Sequence, residues 1–569
     1  MSTLEESRGV HTHEVTNQPP PLVDYNVFTA DRVLEEAVRR EGADWATKRI
    51  SEVGEIAGRG DVIELGRLAN ENPPKLRTHD RYGNRIDIPE FHPAWHDLMR
   101  LGISHELHSL PWREPKPGAH VARTAAFMCF SQAEAGVGCP MSMTYSVVPA
   151  VRKQPDLAEE SEPRILSNVY DPRQLPASEK EGSLFGMGMT EKQGGSDVRA
   201  NTTVARPVNG GGPGAEYEIT GHKWFFSAPQ CDAFLVLAQA EGGISCFLMP
   251  RRLPDGELNR FRLQRLKDKL GNRSNASSEI EFEGAWARLV GEEGAGVRTI
   301  IEMVNHTRLD CTLGSACGMR AGVVQAIQHA RHRSTFGKLL IEAPLMQNVL
   351  ADLAVESEAA TIGAMRLARA YDEANINDGS SASPPGASGS PEQAQAFKRL
   401  ANAVLKYWTC KRGPSHAVEC LECLGGNGYV EESGMPRLFR ESPLGSIWEG
   451  SGNVQCLDVL RAMVKSPESV EAFFGEIAEA QGAESRLDHF VSRLRADLQE
   501  MSAIEARARG LVERMALALQ GSLLLRFGDQ AVADAFCASR LGGDWGQAFG
   551  TLPGDTDFER IIERHAVTA

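Results

Sequence analysis

Residues Glu422 to Asp458 read ECLGGNGYVEESGMPRLFRESPLGSIWEGSGNVQCLD. Two glycine clusters, Gly425/Gly426/Gly428 and Gly450/Gly452, bracket a short charged segment and an apolar Ser-Ile-Trp. One carboxylate, Glu449, stands between Trp448 and the second cluster. Glycine lets a backbone turn tightly and approach a ligand closely, with amide N–H groups free to meet anionic oxygens. A carboxylate at the lip of such a loop, beside a bulky indole, has the surroundings of a general base of raised pKa. Spacing alone is equally compatible with two helix C-caps and a surface glutamate, because glycine commonly follows a helical run.

The wider chain tips that balance. Glu422–Glu441 has an acid, two residues, Gly-Gly-x-Gly-aromatic, then a spaced acid, base and acid, and so fits the second signature of the acyl-CoA dehydrogenase family. Gly188-Met-Thr-Glu-Lys-Gln-Gly-Gly-Ser-Asp-Val-Arg-Ala200 fits the first. Ile-Trp-Glu-Gly-Ser-Gly-Asn resembles the segment that carries that family's catalytic glutamate. Glu64-Leu-Gly-Arg-Leu-Ala-Asn70 and Phe91-His-Pro-Ala-Trp-His96 resemble its AidB-type, adaptive-response branch. The likeness runs from Asn17 to about Arg461.

The resemblance implies a bound FAD and the α,β-dehydrogenation of an acyl-CoA thioester. It makes Glu449 the base that takes the α-proton, with its own backbone N–H helping to polarise the carbonyl. The flavin cradle it implies comprises Met189, Thr190, Gly195 and Ser196, the strand residues Phe225, Phe226 and Ser227, and the later Gly425, Gly426, Trp448, Gly450, Gly452 and Asn453. Arg333 and Phe336 match the Arg-x-x-Phe-Gly element that reaches a neighbouring subunit's cofactor, which implies a homotetramer. Arg308 is placed at the substrate. Thr307 stands where one branch carries its base on an earlier helix, so Glu449 stands alone. Glu422 replaces a glutamine that holds FAD, and Asn305 stands where an Asp meets the pantetheine. The electron acceptor is an electron-transfer flavoprotein or oxygen. The alternative reading is an AidB-type flavoprotein associated with DNA in the alkylation response, with weak dehydrogenation; a third is a member that sequesters acyl-CoA without turnover.

Composition fits these readings. The 569 residues are 41% hydrophobic and 24% charged, as in ordinary globular proteins. No run of about 18 apolar residues suggests a membrane span. The first 25 residues have the pattern of neither a signal nor a transit peptide, and eleven scattered cysteines suit a reducing compartment, so a cytoplasmic location is expected. A net charge of −15 argues against indiscriminate nucleic-acid binding. Residues 464–569 carry 11 basic against 17 acidic side chains, so the arginine clusters Arg486/Arg493/Arg495 and Arg507/Arg509/Arg514 predict only weak DNA contact.

Texture predicts an α+β fold. Residues 1–185 read as a mostly helical domain, with periodic segments at Asp31–Ile50, Asp61–Ala69 and Ala122–Ala135. Residues 186–290 read as a β-domain: Glu216–Thr220, a Gly-His turn, Lys223–Ser227, Ala233–Ala240, Ile244–Met249 and Ser278–Phe282. Residues 291–465 read as a bundle of long helices at 297–332, 343–371 and 392–423, and 466–569 as a helical extension. The Ser/Gly/Pro tract 378–391 reads as a flexible loop. His92 and His96 read as packing or capping residues, and Cys420-x-x-Cys423 as helix-face thiols, with no metal site expected.

Overall fold

A computed structural model of the chain describes residues 12–375 and 390–567. The first third is helical. Arg32–Arg40 is capped by the Asp31 carboxylate, which accepts from Leu34 N–H at 3.1 Å, and it buries Val33, Leu34, Ala37 and Val38. The helix expected to continue to Ile50 instead ends there: Gly42 adopts φ +88°, and a new helix runs Thr47–Gly58. A second departure is a hairpin, Lys75–His79 paired with Arg85–Glu90, inside the region read as helical. Its turn is set by the Asp80 carboxylate, which accepts from Tyr82 N–H and Asn84 N–H at 2.8 and 2.9 Å. The helices Ala119–Ser131 and Gly138–Val151 are buried along nearly their whole length.

The β-domain is a seven-stranded sheet in which Phe185–Gly188 flanks Ala233–Ala240. Pairing of Ala233–Ala240 with Gly243–Pro250 closes five strands into a ring, through Val204–Pro207, Glu216–Ser227 and Ser277–Leu289. The expected Gly-His turn does not form. Glu216–Ser227 is one strand, and Gly221, at φ +149°, sits where the register slips beside Ile219 and Thr220. A bulge bends a strand without ending it, and an isolated glycine is its usual sign. The core of this ring holds Phe226, Phe234, Phe247 and Phe261.

Three long helices follow: Gly296–His332, Pro344–Ala374 and Pro391–Cys423. Their apolar faces join those of the N-terminal helices in one core. Cys420 and Cys423 are buried on the third helix as free thiols. Residues 378–389 of the Ser/Gly/Pro tract lie outside the described residues. The chain continues through helices Pro467–Ala478, Ser485–Gln499 and Ile504–Phe527, and through Phe558–His565, which packs on Pro344–Ala374. Among the described residues no helix is long and apolar enough to cross a membrane.

Candidate active site

Glu449 occupies a strained turn. Its φ is +55° and that of Gly450 is +94°, two left-handed residues in succession between a 3-10 turn at Leu444–Ser446 and the helix Gly452–Lys465. A non-glycine residue holds that conformation only where its surroundings over-determine it. Here the backbone is tied on three sides. Buried Lys406 donates to the carbonyls of Trp448, at 2.7 Å, and of Gly450. Arg308 Nε donates to the Glu449 carbonyl at 3.0 Å, and Gln455 Nε2 donates to the same oxygen at 3.1 Å. Arg308 is in turn held by Asp458 at 3.0 Å, and Asp458 also takes Arg399 at 2.8 Å.

The reversal turns the half-buried Glu449 carboxylate toward the Gly296–His332 helix, where Thr307 Oγ1 donates to Oε2 at 2.7 Å. Burial pushes the carboxyl above the ordinary glutamate range; the Thr307 hydrogen bond and the charges of Lys406 and Arg308 pull it part of the way back. A carboxylate with a raised pKa, one hydrogen bond and a fixed backbone suits proton abstraction.

A second group of expected residues lies on the β-domain. Glu191, in the first signature, forms a fully buried ion pair with Lys223 at 2.8 Å and accepts from the N–H groups of Thr202 and Thr203. Trp224 N–H donates to the Thr190 carbonyl at 2.8 Å. The Met189–Ser196 turn is thereby fastened beside the strand that carries Phe225 and Ser227. Gly195 is required there, since a Cβ would come within 2.3 Å of Thr190 Oγ1. Phe225 is 53% exposed, but the Phe226 ring faces the other way, fully buried against Phe234 with centroids 4.5 Å apart. Only the backbone of Phe226 can face a ligand, a consequence of strand alternation.

Cys139, at the start of the Gly138–Val151 helix, links the two groups. Burial pushes its thiol up to about 11; it lies within reach of the Asn275 and Ser227 side chains and feels the charge of Glu449. Trp448 packs against the β-domain core. The remaining expected residues stand apart. Arg333 donates to the Asn17 carbonyl at 2.6 Å, and Phe336 is fully exposed at φ +51°. Among the described residues no hydrogen bond joins Arg333, Phe336, Gly425 or Gly426 to Glu449 or to the Thr190 turn. Asn453 is exposed in the first turn of its helix. His92 caps the Pro93–Ser104 helix and His96 bonds Tyr170. Sequence reasoning missed Thr307 as a partner of Glu449, and missed Lys406, Gln455 and Asp458 altogether. One sign was available for Lys406, a lone cation in the apolar run Ala403-Val-Leu-Lys-Tyr-Trp408.

Comparison with known proteins shows the family and the fold. Family models match in chain order: the adaptive response protein AidB N-terminal domain at residues 17–172, the acyl-CoA dehydrogenase middle domain at 186–285, and the acyl-CoA dehydrogenase C-terminal domain at 294–464. AidB of Escherichia coli K12 is 44% identical over 93% of this chain and 94% of its own. The chain belongs to the acyl-CoA dehydrogenase family. Within that family, Caenorhabditis elegans acyl-CoA dehydrogenase family member 11 is 29% identical, over 91% of this chain and 84% of its own. The crystal structure of C. elegans ACDH-11 in complex with C11-CoA superposes with a TM-score of 0.81 at 25% identity, covering 99% of this chain and 95% of that one.

Proposed function

We propose that this acyl-CoA dehydrogenase family member oxidises an acyl-CoA thioester across its α–β bond, with Glu449 as the base. One observation carries the reading. The carboxylate sits in a turn that three buried side chains hold open, its pKa raised by burial and its Oε2 anchored by Thr307. In the step itself, the α-carbon loses its proton to a Glu449 oxygen while the turn keeps that oxygen fixed. Orientation of this kind lowers the entropic part of a barrier.

The residues present fit FAD. The Trp448 indole N–H and both amide atoms of Asn275 are buried without a hydrogen-bond partner. Gly194, Gly425 and Gly426 face open space, where even a methyl group would meet nothing within 4 Å. When bound, FAD supplies the acceptor for the β-hydride. The Thr190–Ser196 turn, Phe225 and Ser227 would hold it from the β-domain. Arg333 and Phe336 have no partner at the Glu449 site of their own chain, which supports their reaching the cofactor of a neighbouring copy in a homotetramer. The relative solved with C11-CoA supports an acyl-CoA as substrate. An electron-transfer flavoprotein or oxygen takes the electrons away.

The test is anaerobic titration of the purified flavoprotein with a panel of acyl-CoAs, read by bleaching of the flavin spectrum. Bleaching by at least one member is expected. A colourless protein that also fails to take up added FAD would overturn the reading.

A further inference from the structure

Lys269 lies in the loop between the strands Phe261–Leu266 and Ser277–Leu289, outside both sequence signatures. Its side chain is half-buried, and its ammonium donates to the Asn275 carbonyl at 2.6 Å and to Ser277 Oγ at 3.0 Å. Ser277 stands directly opposite Ser227 where its strand pairs antiparallel with Glu216–Ser227. Opposed residues put their side chains on one face with Cβ atoms about 5 Å apart, so the Lys269 charge lies within about 10 Å of Ser227. Cys139 ties the same group together from the helical side. Its thiol reaches Ser227 and Asn275 and feels the charges of both Lys269 and Glu449.

Lys269 has no counter-charge in contact. Lys180 and Lys223, also in or beside the β-domain, pair with the carboxylates of Asp232 and Glu191 at 2.7 and 2.8 Å. Among the described residues no carboxylate pairs with Lys269, and both its acceptors are neutral. The field of an ion pair largely cancels a short way off, whereas a lone cation reaches across the protein. Its charged and titratable neighbours act at longer range: Cys139 on the Gly138–Val151 helix, Glu441 at the end of Met435–Glu441, and Glu134 in the turn before Gly138. Glu134 is taken up by Asn70, Ser274 and Val137 N–H, each at 2.8 Å, and Glu441 accepts from Asn272 N–H at 2.7 Å. Burial pushes the Lys269 ammonium down to about 8, against the pull of these three groups. It is charged at neutral pH and loses that charge a little above it.

Reduction places added electrons on a flavin, and a fixed cation beside the flavin site favours that added charge. We infer that Lys269 is a positioning residue of the cofactor site, which braces the Ser227 end of the cradle through Ser277 and Asn275 and raises the reduction potential of the bound flavin by its uncompensated charge. The inference rests on the proposed role of Ser227 in holding FAD.

The measurement is the midpoint potential of the bound flavin, by anaerobic dye-coupled titration of the full-length unaltered, Lys269→Met and Lys269→Arg proteins from about pH 6.5 to about pH 9.5. At the lower pH the Lys269→Met protein favours reduced over oxidised flavin about tenfold less, a potential about 30 mV lower for a two-electron couple. Arginine stays charged throughout, so Lys269→Arg matches the unaltered protein there. At the upper pH the unaltered lysine is neutral, and its potential joins that of Lys269→Met while Lys269→Arg stays above both. Burial raises Glu441 to about 7, but it titrates in all three proteins and cancels from the differences. A purely structural lysine would alter FAD retention without this pH-dependent gap. Equal potentials across the range would overturn the inference and leave FAD binding intact, whereas an unaltered protein that takes up no FAD would overturn both. Should Lys269→Met fail to fold, the gap that opens above about pH 8 between the unaltered and Lys269→Arg proteins decides alone, and its absence overturns the inference.

Discussion

At the scale of single residues, the chemistry turns on the balance of forces at Glu449. Exchanging its carboxylate for an amide keeps the shape and removes the base. Glu449→Gln should therefore retain FAD yet lose flavin reduction by a factor on the order of a hundred to ten thousand, as read by stopped-flow bleaching. Thr307 allows a subtler test. Its hydroxyl donates to the carboxylate and so favours the charged form. Thr307→Val withdraws that donor, raises the carboxyl pKa further and moves the acid limb of the rate profile to higher pH. A limb that stayed in place would show that the hydrogen bond does not tune the base. Burial raises this carboxyl above the ordinary glutamate range, so the limb of the unaltered protein should lie above that of a free glutamate.

At the scale of elements, the catalytic turn is held by helices distant in sequence. Lys406 projects from the Pro391–Cys423 helix and satisfies two carbonyls 42 and 44 residues away. Lys406→Met would leave the Trp448 carbonyl unmet at about 1–3 kcal/mol, leave the Gly450 carbonyl with only its bond from Gln455 Nε2 at 3.0 Å, and release the strain at Glu449. The expected outcome is a lowered melting temperature together with slower flavin reduction at undiminished FAD content. The same geometry explains what the sequence could and could not reveal. Glu449 and the glycines around it lie in one contiguous motif, so their grouping was legible, as were the long helices, whose observed limits fall within a few residues of the periodic runs. Lys406, Gln455 and Asp458 gain their roles only when helices pack, and no local pattern marks them. The hairpin at Lys75–Glu90 escaped because short strands with polar outer faces carry little periodic signal. Phe226 shows the limit of motif transfer: the motif fixed the strand, but alternation sent its ring into the core.

At the scale of the molecule, the last hundred residues are bound to the rest by buried charge. Arg540 pairs with Asp352 and Glu356, Arg564 and His565 with Glu358, and Arg366 and Arg526 with Glu476. Burial by itself would raise Glu356, Glu358 and Glu476; the arginines and His565 outweigh it and hold each carboxyl down to about 2. A folded pKa below the unfolded value gives stability that is complete above pH 4.5 and disappears as pH falls toward 2. Acid should therefore loosen this region across that window, detectable by hydrogen exchange in the Ile504–Phe527 helix. A chain ending near Lys465 would strip partners from these buried groups at about 3–5 kcal/mol each, against a total stability of about 5–15 kcal/mol. It should not fold, as circular dichroism would show, so DNA binding must be measured on the whole chain. There five of the six clustered arginines are already engaged: Arg486 with Glu484, Arg514 with Asp497, Arg507 on the backbone carbonyls of Asp497, Glu500 and Ser502, Arg509 on the Tyr407 hydroxyl, and Arg495 over the Phe474 ring, while Arg493 is exposed. Fluorescence anisotropy should find duplex binding weak at about 50 mM salt and gone by about 200 mM. Tight binding at the higher salt would show that arginines regroup on contact.

The pairing of Arg564 with Glu36 spans 528 residues of sequence. At a synthesis rate of about 5–20 residues per second, Glu36 waits roughly half a minute to two minutes for this partner to be made. Within that interval the helices Ala119–Ser131 and Pro344–Ala374, which also pack on Arg32–Arg40, have already been made. The Arg32–Arg40 helix is thus packed first by Ala119–Ser131 and Pro344–Ala374, and Phe558–His565 is the last described element to reach it.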